Sequence, residues 1–411
     1  MRFWVGGYTA DADGAAAGIG VLHAGAVDSP LAGGDLAFRG VAASAPSPSW
    51  ISAHPTLDVL YAAQEFAGTV RAFVRTGEET YAPHGAAVDA GDAVCHLAVA
   101  PDGSSLVATC WGDGRVVQYP LSPNGRIGAA RIAAAADDPT ADSGEGADGA
   151  TQTQLAELSA LAGMTGFTTL GDLPLFGAEV QGVEAQSGDT RAGEGVDEPE
   201  HALPAPVRAS RAHQTRFLPG GVVVTTDLGF DLVRFWTSGP AGLRLTQEVT
   251  LPRGCGPRHT VWHPSGHLYV VTELSLEVFV LASDPAASAS ERWRVVGSAP
   301  LGAGTAPGSD FAAEIALTRD AAYAVVGIRG SNTLATVRVR DGGRALALVA
   351  LAESSVDWPR HHVIERDTVL VAGQLSNEVV SLTLDERTGV VGRVRRRIEA
   401  PSPTRLLADR G

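Results

Sequence analysis

An arginine, a histidine and a glutamate stand at the two ends of one short apolar hairpin. The stretch GPRHTVWHPSGHLYVVTEL, residues 256–274, begins with Arg258 and His259 and ends close to Glu273. Its centre, Pro-Ser-Gly, has the composition of a tight turn between two strands. Antiparallel pairing around that turn sets Arg258 opposite Glu273 and His259 opposite Thr272. A guanidinium beside a carboxylate and an imidazole is suited to binding a small anion and moving protons.

The elements that would position these groups recur along the whole chain. Short β-branched runs such as LDVLYAAQE, HLYVVTELS and TVLVAGQLS are each followed by a second strand-like run. All but the first of seven such units are also preceded by a strand that ends in a turn. Units of four strands repeated about every 45–55 residues predict an all-β fold, a seven-bladed β-propeller of four-stranded antiparallel blades. A β-sandwich does not predict sevenfold self-similarity, and a β-helix has shorter rungs.

The two ends of the chain and one insertion complete this prediction. MRFWVGGYT lacks a preceding inner strand and SPTRLLADRG lacks a partner, so we expect the two ends to meet in one sheet and close the ring. Residues 1–411 would then form one domain. Residues 137–207 interrupt the repeat with acidic residues throughout, a single arginine and one helix candidate, TQLAELSALAGM. This composition indicates a partly disordered surface insertion, with a lid over the channel as the alternative.

The innermost strand of every blade faces a shared central channel, so the register of the first hairpin can be applied to the others. It gathers polar side chains at one mouth of the channel, where a small-anion site with acid–base groups is expected. The inner strands begin with Ser49-Trp50, Cys95-His96, His213-Gln214, Arg258-His259, Ala313-Glu314 and Arg360-His361, and the hairpins end at Gln64, Glu65, Trp111, Asp227, Glu273, Arg329 and Gln374.

Each member of this ring also has a structural interpretation. A cross-strand arginine–glutamate pair is commonly a structural ion pair, and Asp227 within DLG could cap a turn. Side chains alternate along a strand, so one residue of each Arg–His pair is expected to pack between blades. Trp111 would fill space at the rim. The repeated registration, and no single residue, favours a functional site.

Composition excludes several classes of function. The net charge of −15 argues against non-specific binding to nucleic acid or to an anionic membrane. All 31 basic residues are arginine, which excludes lysine Schiff bases and a P-loop lysine. The three cysteines show no CxxC spacing, and neither a metal motif nor a phosphate loop occurs, so we expect no metal and no cofactor. No signal peptide and no apolar run of about 18 residues occur, which predicts a cytoplasmic protein.

Four stretches carry a family resemblance. GPRHTVWHPSGHLYVVTEL, AHQTRFLPGGVVVTTDLGFDLVRFW and AAEIALTRDAAYAVVGIRGSNTLA resemble the seven-bladed propeller lactonases, and WPRHHVIERDTVLVAGQLSNEVVSLTLDERTGVVG looks like that family's final blade. The likeness covers nearly the whole chain outside residues 137–207. The family includes 6-phosphogluconolactonases and a fungal carboxymuconate-cyclising enzyme. Arg211 stands in this chain where the family usually has the first of two histidines.

The resemblance implies an active site and a reaction. Its catalytic residues map to His213, Arg258, Glu273 and Arg329, all members of the ring obtained from register. The implied activity is metal-independent hydrolysis of 6-phosphoglucono-1,5-lactone to 6-phosphogluconate. Glu273 or His213 would activate water, while the two arginines would stabilise the oxyanion or hold an anionic substituent. From the ring, the expected substrate-binding residues are His259, Glu314, Arg360 and Gln374.

Two other functions fit the same arginine-rich mouth. One is a lactonising cyclase or isomerase acting on a di- or tricarboxylate, and the other is a non-catalytic propeller that binds proteins through its faces. We expect a small anionic lactone or carboxylate as the partner. Nucleic acid and membranes are not expected partners, and the chain should be a monomer or a weak homodimer.

Overall fold

The computed structural model describes residues 1–26, 29–141, 208–302 and 305–409. In these ranges the chain forms 29 β-strands and two short 3₁₀ helices, Ala10–Ala12 and Asp341–Gly343. The strands make seven antiparallel sheets, six of four strands and one of five. The all-β seven-bladed propeller predicted from the repeats is therefore confirmed. The helix candidate TQLAELSALAGM and most of the acidic insertion lie outside the described residues.

Blade 1 is built from both ends of the chain. It contains β1 (Arg2–Gly7), β2 (Ile19–Ala24) and β3 (Leu36–Ala43), and its innermost strand is β29 (Pro403–Ala408). Phe3 pairs with Ala408 and Gly6 with Arg405 across the β1–β29 ladder. The prediction that the two ends close the ring in one sheet is confirmed.

Blades 2 to 4 follow in chain order, each starting at the channel and running outward. Blade 2 contains β4 (Pro48–Ala53), β5 (Val59–Gln64), β6 (Thr69–Arg75), β7 (Tyr81–Pro83) and β8 (Val88–Asp89). Blade 3 contains β9 (Val94–Val99), β10 (Ser105–Cys110), β11 (Val116–Pro120) and β12 (Arg131–Ile132). Blade 4 contains β13 (Ala212–Phe217), β14 (Val222–Asp227), β15 (Leu232–Gly239) and β16 (Gly242–Thr250).

Blades 5 to 7 have the same order. Blade 5 contains β17 (Pro257–Trp262), β18 (His267–Thr272), β19 (Glu277–Ser283) and β20 (Trp293–Pro300). Blade 6 contains β21 (Phe311–Leu317), β22 (Tyr323–Arg329), β23 (Thr333–Arg340) and β24 (Ala345–Glu353). Blade 7 contains β25 (Pro359–Glu365), β26 (Thr368–Gly373), β27 (Glu378–Leu384) and β28 (Val391–Glu399).

The core lies between neighbouring blades, so the inner pair of strands is buried on both faces. In blade 7, the second strand TVLVAG is buried at every position, whereas the outermost strand VGRVRRRIE exposes three of its four arginines. Each pair of adjacent blades shares one apolar cluster among the described residues. The smallest, between blades 3 and 4, consists of Val107, Val116, Ala212, Val223 and Trp236 with its partly buried neighbours. Burial of both sheet faces explains why these strands are continuous apolar runs.

Every innermost strand carries one extra residue near its beginning. The pairing between the first and second strands slips by one residue there, which is a β-bulge. The residues at these bulges are Ser49, Cys95, His213, Arg258, Ala313, Arg360 and Thr404.

Because of the bulge, the observed strand register differs from the register expected from the sequence. His259 pairs with Val271 and Pro257 with Thr272, so Arg258 has no residue directly opposite it. The expected pairing of His259 with Thr272 is wrong by one residue. A bulge also interrupts the strict alternation of side chains. Arg258 and His259 consequently both reach the central cavity, contrary to the expectation that one of them packs between blades.

Candidate active site

The inner strands begin around a small central cavity. The bulge residues of six blades line it together with three neighbours. The bulge residues are Ser49, Cys95, His213, Arg258, Arg360 and Thr404, and the neighbours are Trp50, Glu65 and His259. The free space holds about one water molecule. A sugar lactone would therefore have to displace side chains to bind here, and a polymer cannot enter.

Arg258 connects the cavity wall to a chain of buried ion pairs. Its Nε lies 2.7 Å from Oε2 of Glu273, and the same oxygen lies 2.9 Å from Nη2 of Arg329. Arg329 also donates to the backbone oxygens of Phe311 and Ala312 in blade 6. Glu273 and Arg329 are buried and do not line the cavity. Glu273 therefore holds Arg258 from behind.

Two nitrogen atoms at the cavity have no protein partner. Arg258 Nη1 and His213 Nδ1 are buried, and neither makes a hydrogen bond to any residue in the described ranges. Buried polar atoms are nearly always hydrogen-bonded in proteins, because leaving one unpaired costs about 1–3 kcal/mol. A ligand with acceptor oxygens would satisfy the guanidinium.

A second group of polar side chains faces Arg258 from blades 7, 1 and 2. Arg360 donates from Nη2 to the hydroxyl of Tyr8 at 2.7 Å and from Nη1 to Oε1 of Gln374 at 3.2 Å. The Tyr8 hydroxyl lies 3.2 Å from both carboxylate oxygens of Glu65 and donates to them. All four residues have little solvent exposure. Hydrogen bonds across three blades thus fix Arg360 and Glu65 at the cavity wall.

The next residues along the inner strands pack around Trp50. Its ring centre lies 4.0 Å from that of His96, 5.4 Å from that of His259 and 5.6 Å from that of His361. The guanidinium carbon of Arg405 lies 3.9 Å from the Trp50 ring centre. These contacts join five blades and leave the indole as part of the cavity wall.

Glu314 binds two histidines of this same layer. Its Oε2 lies 2.9 Å from Nδ1 of His259 and 3.2 Å from Nε2 of His361. Glu314 does not line the cavity. It orients the imidazole of His259, which does.

Burial shifts the pKa values of the two candidate acid–base groups in opposite directions. It lowers the pKa of His213 well below the ordinary value of 6.5, and the positive charge of Arg258 acts the same way. His213 is therefore neutral at neutral pH and can accept a proton. Burial raises the pKa of the Glu65 carboxyl above 4.5, although the charge of Arg360 opposes this shift. Burial also raises the pKa of Tyr8, which keeps its phenol protonated.

The position at the far end of each second strand is equivalent in all blades, and its side chains surround the mouth. The residues are Tyr8, Glu65, Trp111, Leu228, Glu273, Arg329 and Gln374, which end or directly follow the second strands. Asp227 does not belong to this set. Its Oδ1 accepts hydrogen bonds from the backbone N–H groups of Arg211, Gly229 and Phe230. The structural interpretation, a capped turn, is therefore confirmed for Asp227.

The eight residues selected from the sequence fall into two groups. His213, Arg258, His259 and Arg360 line the cavity. The other four lie behind them: Glu273, Glu314 and Gln374 each contact a residue that lines the cavity, and Arg329 contacts Glu273. Their assigned roles stay predictions. Sequence reasoning placed Glu65 at the mouth without selecting it, and it missed Tyr8, because Tyr8 joins the site only through the closure of blade 1.

A larger groove lies elsewhere, between the inner hairpins of blades 3 and 4. It has a volume of about 790 Å³ and is lined largely by turn residues, including 217–221 and 238–240. Asp102 and Arg131 are its only ionisable residues within the described chain. It lacks the convergent acid–base groups of the central cavity, which is therefore the candidate active site.

No group of three or more His, Cys, Asp or Glu side chains in the described ranges could hold a metal ion. In the same ranges, no helix is long and apolar enough to cross a bilayer.

Comparisons with known proteins agree with the fold. A family model for the lactonases with a seven-bladed β-propeller matches residues 2–150 and 178–408. A 6-phosphogluconolactonase of Bacillus subtilis is 30% identical over 190 residues, which are 44% of this chain and 52% of that protein. A 6-phosphogluconolactonase of Pectobacterium carotovorum is 28% identical over 184 residues, or 43% and 54% of the two chains. The chain thus spans about half the length of the curated relatives it matches.

Solved structures share the architecture at lower identity. A periplasmic gluconolactonase of Pseudomonas aeruginosa superposes with a TM-score of 0.73, 19% identity and 99% coverage of both chains. A protein of Lactobacillus plantarum gives a TM-score of 0.70 at 20% identity, again with 99% coverage of both chains. These two similarities support the propeller fold.

Proposed function

Because this chain belongs to the seven-bladed β-propeller lactonase family, we propose that it hydrolyses the ring ester of a small anionic sugar lactone in the central cavity. The favoured substrate is 6-phosphoglucono-1,5-lactone, which would yield 6-phosphogluconate. Two observations support this choice: relatives at about half-length coverage are named for this activity, and two arginines line the cavity.

The observation that carries the proposal is the unpartnered Nη1 of Arg258 beside a neutral His213. Arg258 is 3% exposed, and Glu273 fixes the direction of its guanidinium group. A buried donor that is held in place and left without a partner is suited to stabilising charge as it develops. A buried neutral imidazole in the same cavity supplies a base.

In the proposed reaction each side chain of the cavity has a separate role. Arg258 donates to the carbonyl oxygen, which becomes the oxyanion when water adds to the carbonyl carbon. His213 takes the proton from that water. Arg360 binds the anionic substituent of the substrate, because its guanidinium still has N–H groups beyond those given to Tyr8 and Gln374. Glu273 and Arg329 position Arg258.

A hydrolysis assay tests this proposal. Freshly generated 6-phosphoglucono-1,5-lactone is followed by pH-stat with the spontaneous rate subtracted, with and without a chelator. We expect chelator-insensitive turnover, and Arg258→Ala should lose about 10²–10³-fold in kcat because an oxyanion donor is removed. Arg294→Ala is the matched control, since that arginine is 62% exposed and far along the chain from the cavity residues. It should retain the wild-type rate.

Circular dichroism of each variant must accompany the rates, because Arg258 is buried in an ion pair. If a folded Arg258→Ala protein hydrolyses the lactone at the wild-type rate, the proposed role of this arginine is wrong. If the wild-type protein hydrolyses neither this lactone nor other anionic sugar lactones, the proposed function is wrong and a carboxylate cyclase or a protein-binding propeller is favoured. A cytoplasmic location stays a prediction from the sequence, and cell fractionation would test it.

A further inference from the structure

Three buried carboxyl groups lie at or near the central cavity, and their surroundings differ. Glu273 is held by two guanidinium groups, and Glu314 is held by His259 and His361. Neither lines the cavity. Glu65 does line it, and it is the only carboxyl group in the described part of the chain that does so. Among these three groups, Glu65 is therefore the one that can exchange a proton with a ligand in this cavity.

Tyr8 holds Glu65 in one orientation. Its hydroxyl lies at the same distance, 3.2 Å, from both carboxylate oxygens. The oxygen of Tyr8 accepts a hydrogen bond from Arg360 Nη2 at 2.7 Å, so its own proton is directed toward Glu65. Tyr8 is 3% exposed and Glu65 is 8% exposed. The Tyr8 hydroxyl contacts both oxygens of the carboxyl group, and each oxygen still has a lone pair or a proton for the ligand.

A lactonase needs both a base for water and an acid for the leaving oxygen. The reaction proposed above assigns His213 as the base but leaves the departing ring oxygen without a proton source. An alkoxide is a poor leaving group unless it is protonated as the bond breaks. Glu273 cannot supply that proton from behind Arg258.

We propose that Glu65 is the general acid that protonates the leaving ring oxygen, and that Tyr8 is its positioning residue. This inference rests on the proposed lactone hydrolysis. It is supported by the opposite pKa shifts described above, because environments that separate two pKa values commonly define an acid and a base. Burial raises the pKa of Glu65 and lowers that of His213.

The proton transfers balance over one cycle. One O–H bond of water breaks, its proton goes to His213, and the water oxygen bonds to the carbonyl carbon. The bond between that carbon and the ring oxygen then breaks, and the ring oxygen takes the proton of the Glu65 carboxyl. The products are a hydroxy acid, a Glu65 carboxylate and a protonated His213. Transfer of one proton from His213 to Glu65 through water restores the starting state.

The test is Glu65→Gln, which keeps the size and the hydrogen-bonding capacity of the side chain and removes the titratable proton. We expect kcat to fall about 10²–10⁴-fold, with a smaller change in KM. In the wild type, kcat should decline as pH rises through the Glu65 pKa, and this alkaline limb should disappear in the variant. Glu65→Asp keeps an acid on a shorter side chain and should retain the limb at a reduced rate.

Glu273→Gln is the matched control, because it changes the equivalent residue of blade 5 in the same way. It should retain the alkaline limb even where its rate is reduced. Wild-type turnover by a folded Glu65→Gln protein would overturn the inference and leave the proposed lactonase function intact. A wild type that turns over no lactone would overturn both. Difference infrared spectra of wild type and Glu65→Gln across pH add a readout that needs no substrate, and we expect a protonated carboxyl band that only the wild type shows.

Discussion

Glu65 and Glu273 occupy the same position of the repeat in blades 2 and 5, yet their surroundings are opposite in character. Each directly follows the second strand of its blade. Arg258 and Arg329 enclose Glu273, whereas a tyrosine hydroxyl contacts Glu65. Both carboxyl groups are buried. The difference lies in what the neighbouring blades contribute, which is Arg329 from blade 6 in one case and Tyr8 from blade 1 in the other.

A repeated fold has here given one position two different environments. A carboxylate between two guanidinium groups acts as a structural counterion. A carboxyl group that is buried against a phenol can hold a proton and release it. The blade supplies the position, and the adjacent blade determines the chemistry.

The largest expected contrast is in stability. Glu273→Gln would leave Arg258 and Arg329 buried without their shared counterion, and we expect it to lower the free energy of unfolding by about 3–5 kcal/mol. Glu65→Gln should cost about 1 kcal/mol, since the amide can still accept from Tyr8. Urea unfolding at pH 7 compares the two variants. Equal losses would show that the two sites are not energetically different.

The next contrast concerns pH. Because the pKa of Glu65 is raised in the folded protein, the folded state holds a proton that the unfolded state has lost. The stabilisation from this proton is fully present below about pH 4.5 and is lost as pH rises through the folded pKa. The difference in unfolding free energy between wild type and Glu65→Gln should therefore shrink with rising pH. Its total change is about 1.4 kcal/mol for each unit of pKa shift. A difference that grows with pH would contradict the raised pKa.

The smallest effect should come from Tyr8→Phe. It removes the hydroxyl between Arg360 and Glu65 and should cost about 0.5–1.5 kcal/mol of stability. Its hydrogen bond lowers the pKa of Glu65, so the alkaline limb of kcat should move to higher pH without it. Tyr61→Phe is the matched control, because it removes a buried hydroxyl that donates to Gly125 at 2.8 Å, away from the cavity residues. An unchanged pH profile in Tyr8→Phe would exclude the positioning role.

The sequence was sufficient for the blades and for part of the site. Apolar runs separated by turns repeat seven times, so the propeller and its closure by MRFWVGGYT and SPTRLLADRG could be predicted. The association of Arg258 with Glu273 also follows from the hairpin, because the two residues lie on either side of one turn. Contacts across a hairpin depend only on the position of the turn, which can be read from the sequence.

The β-bulges could not be predicted, and they decide which side chains reach the cavity. A bulge adds one residue without changing the apolar pattern on either side of it, so counting from the turn places His259 opposite the wrong residue. The Tyr8–Glu65 contact was also inaccessible, since its partners are 57 residues apart in sequence and belong to different blades. This contact could be identified only from the closed ring, in which blade 1 lies next to blade 2.

Ring closure also affects when the cavity can exist during synthesis. Strand β29 (Pro403–Ala408) supplies Thr404 to the cavity wall and pairs with the first strand of the chain. A chain emerging from the ribosome presents blades 2 to 7 before residue 403 has been made. Until then blade 1 lacks its innermost strand, and Tyr8 cannot be fixed between Arg360 and Glu65 by a completed sheet. The cavity wall is thus completed only after residue 408 has been made, and a shorter nascent chain that carries every candidate catalytic side chain still lacks Thr404 and the closed first blade.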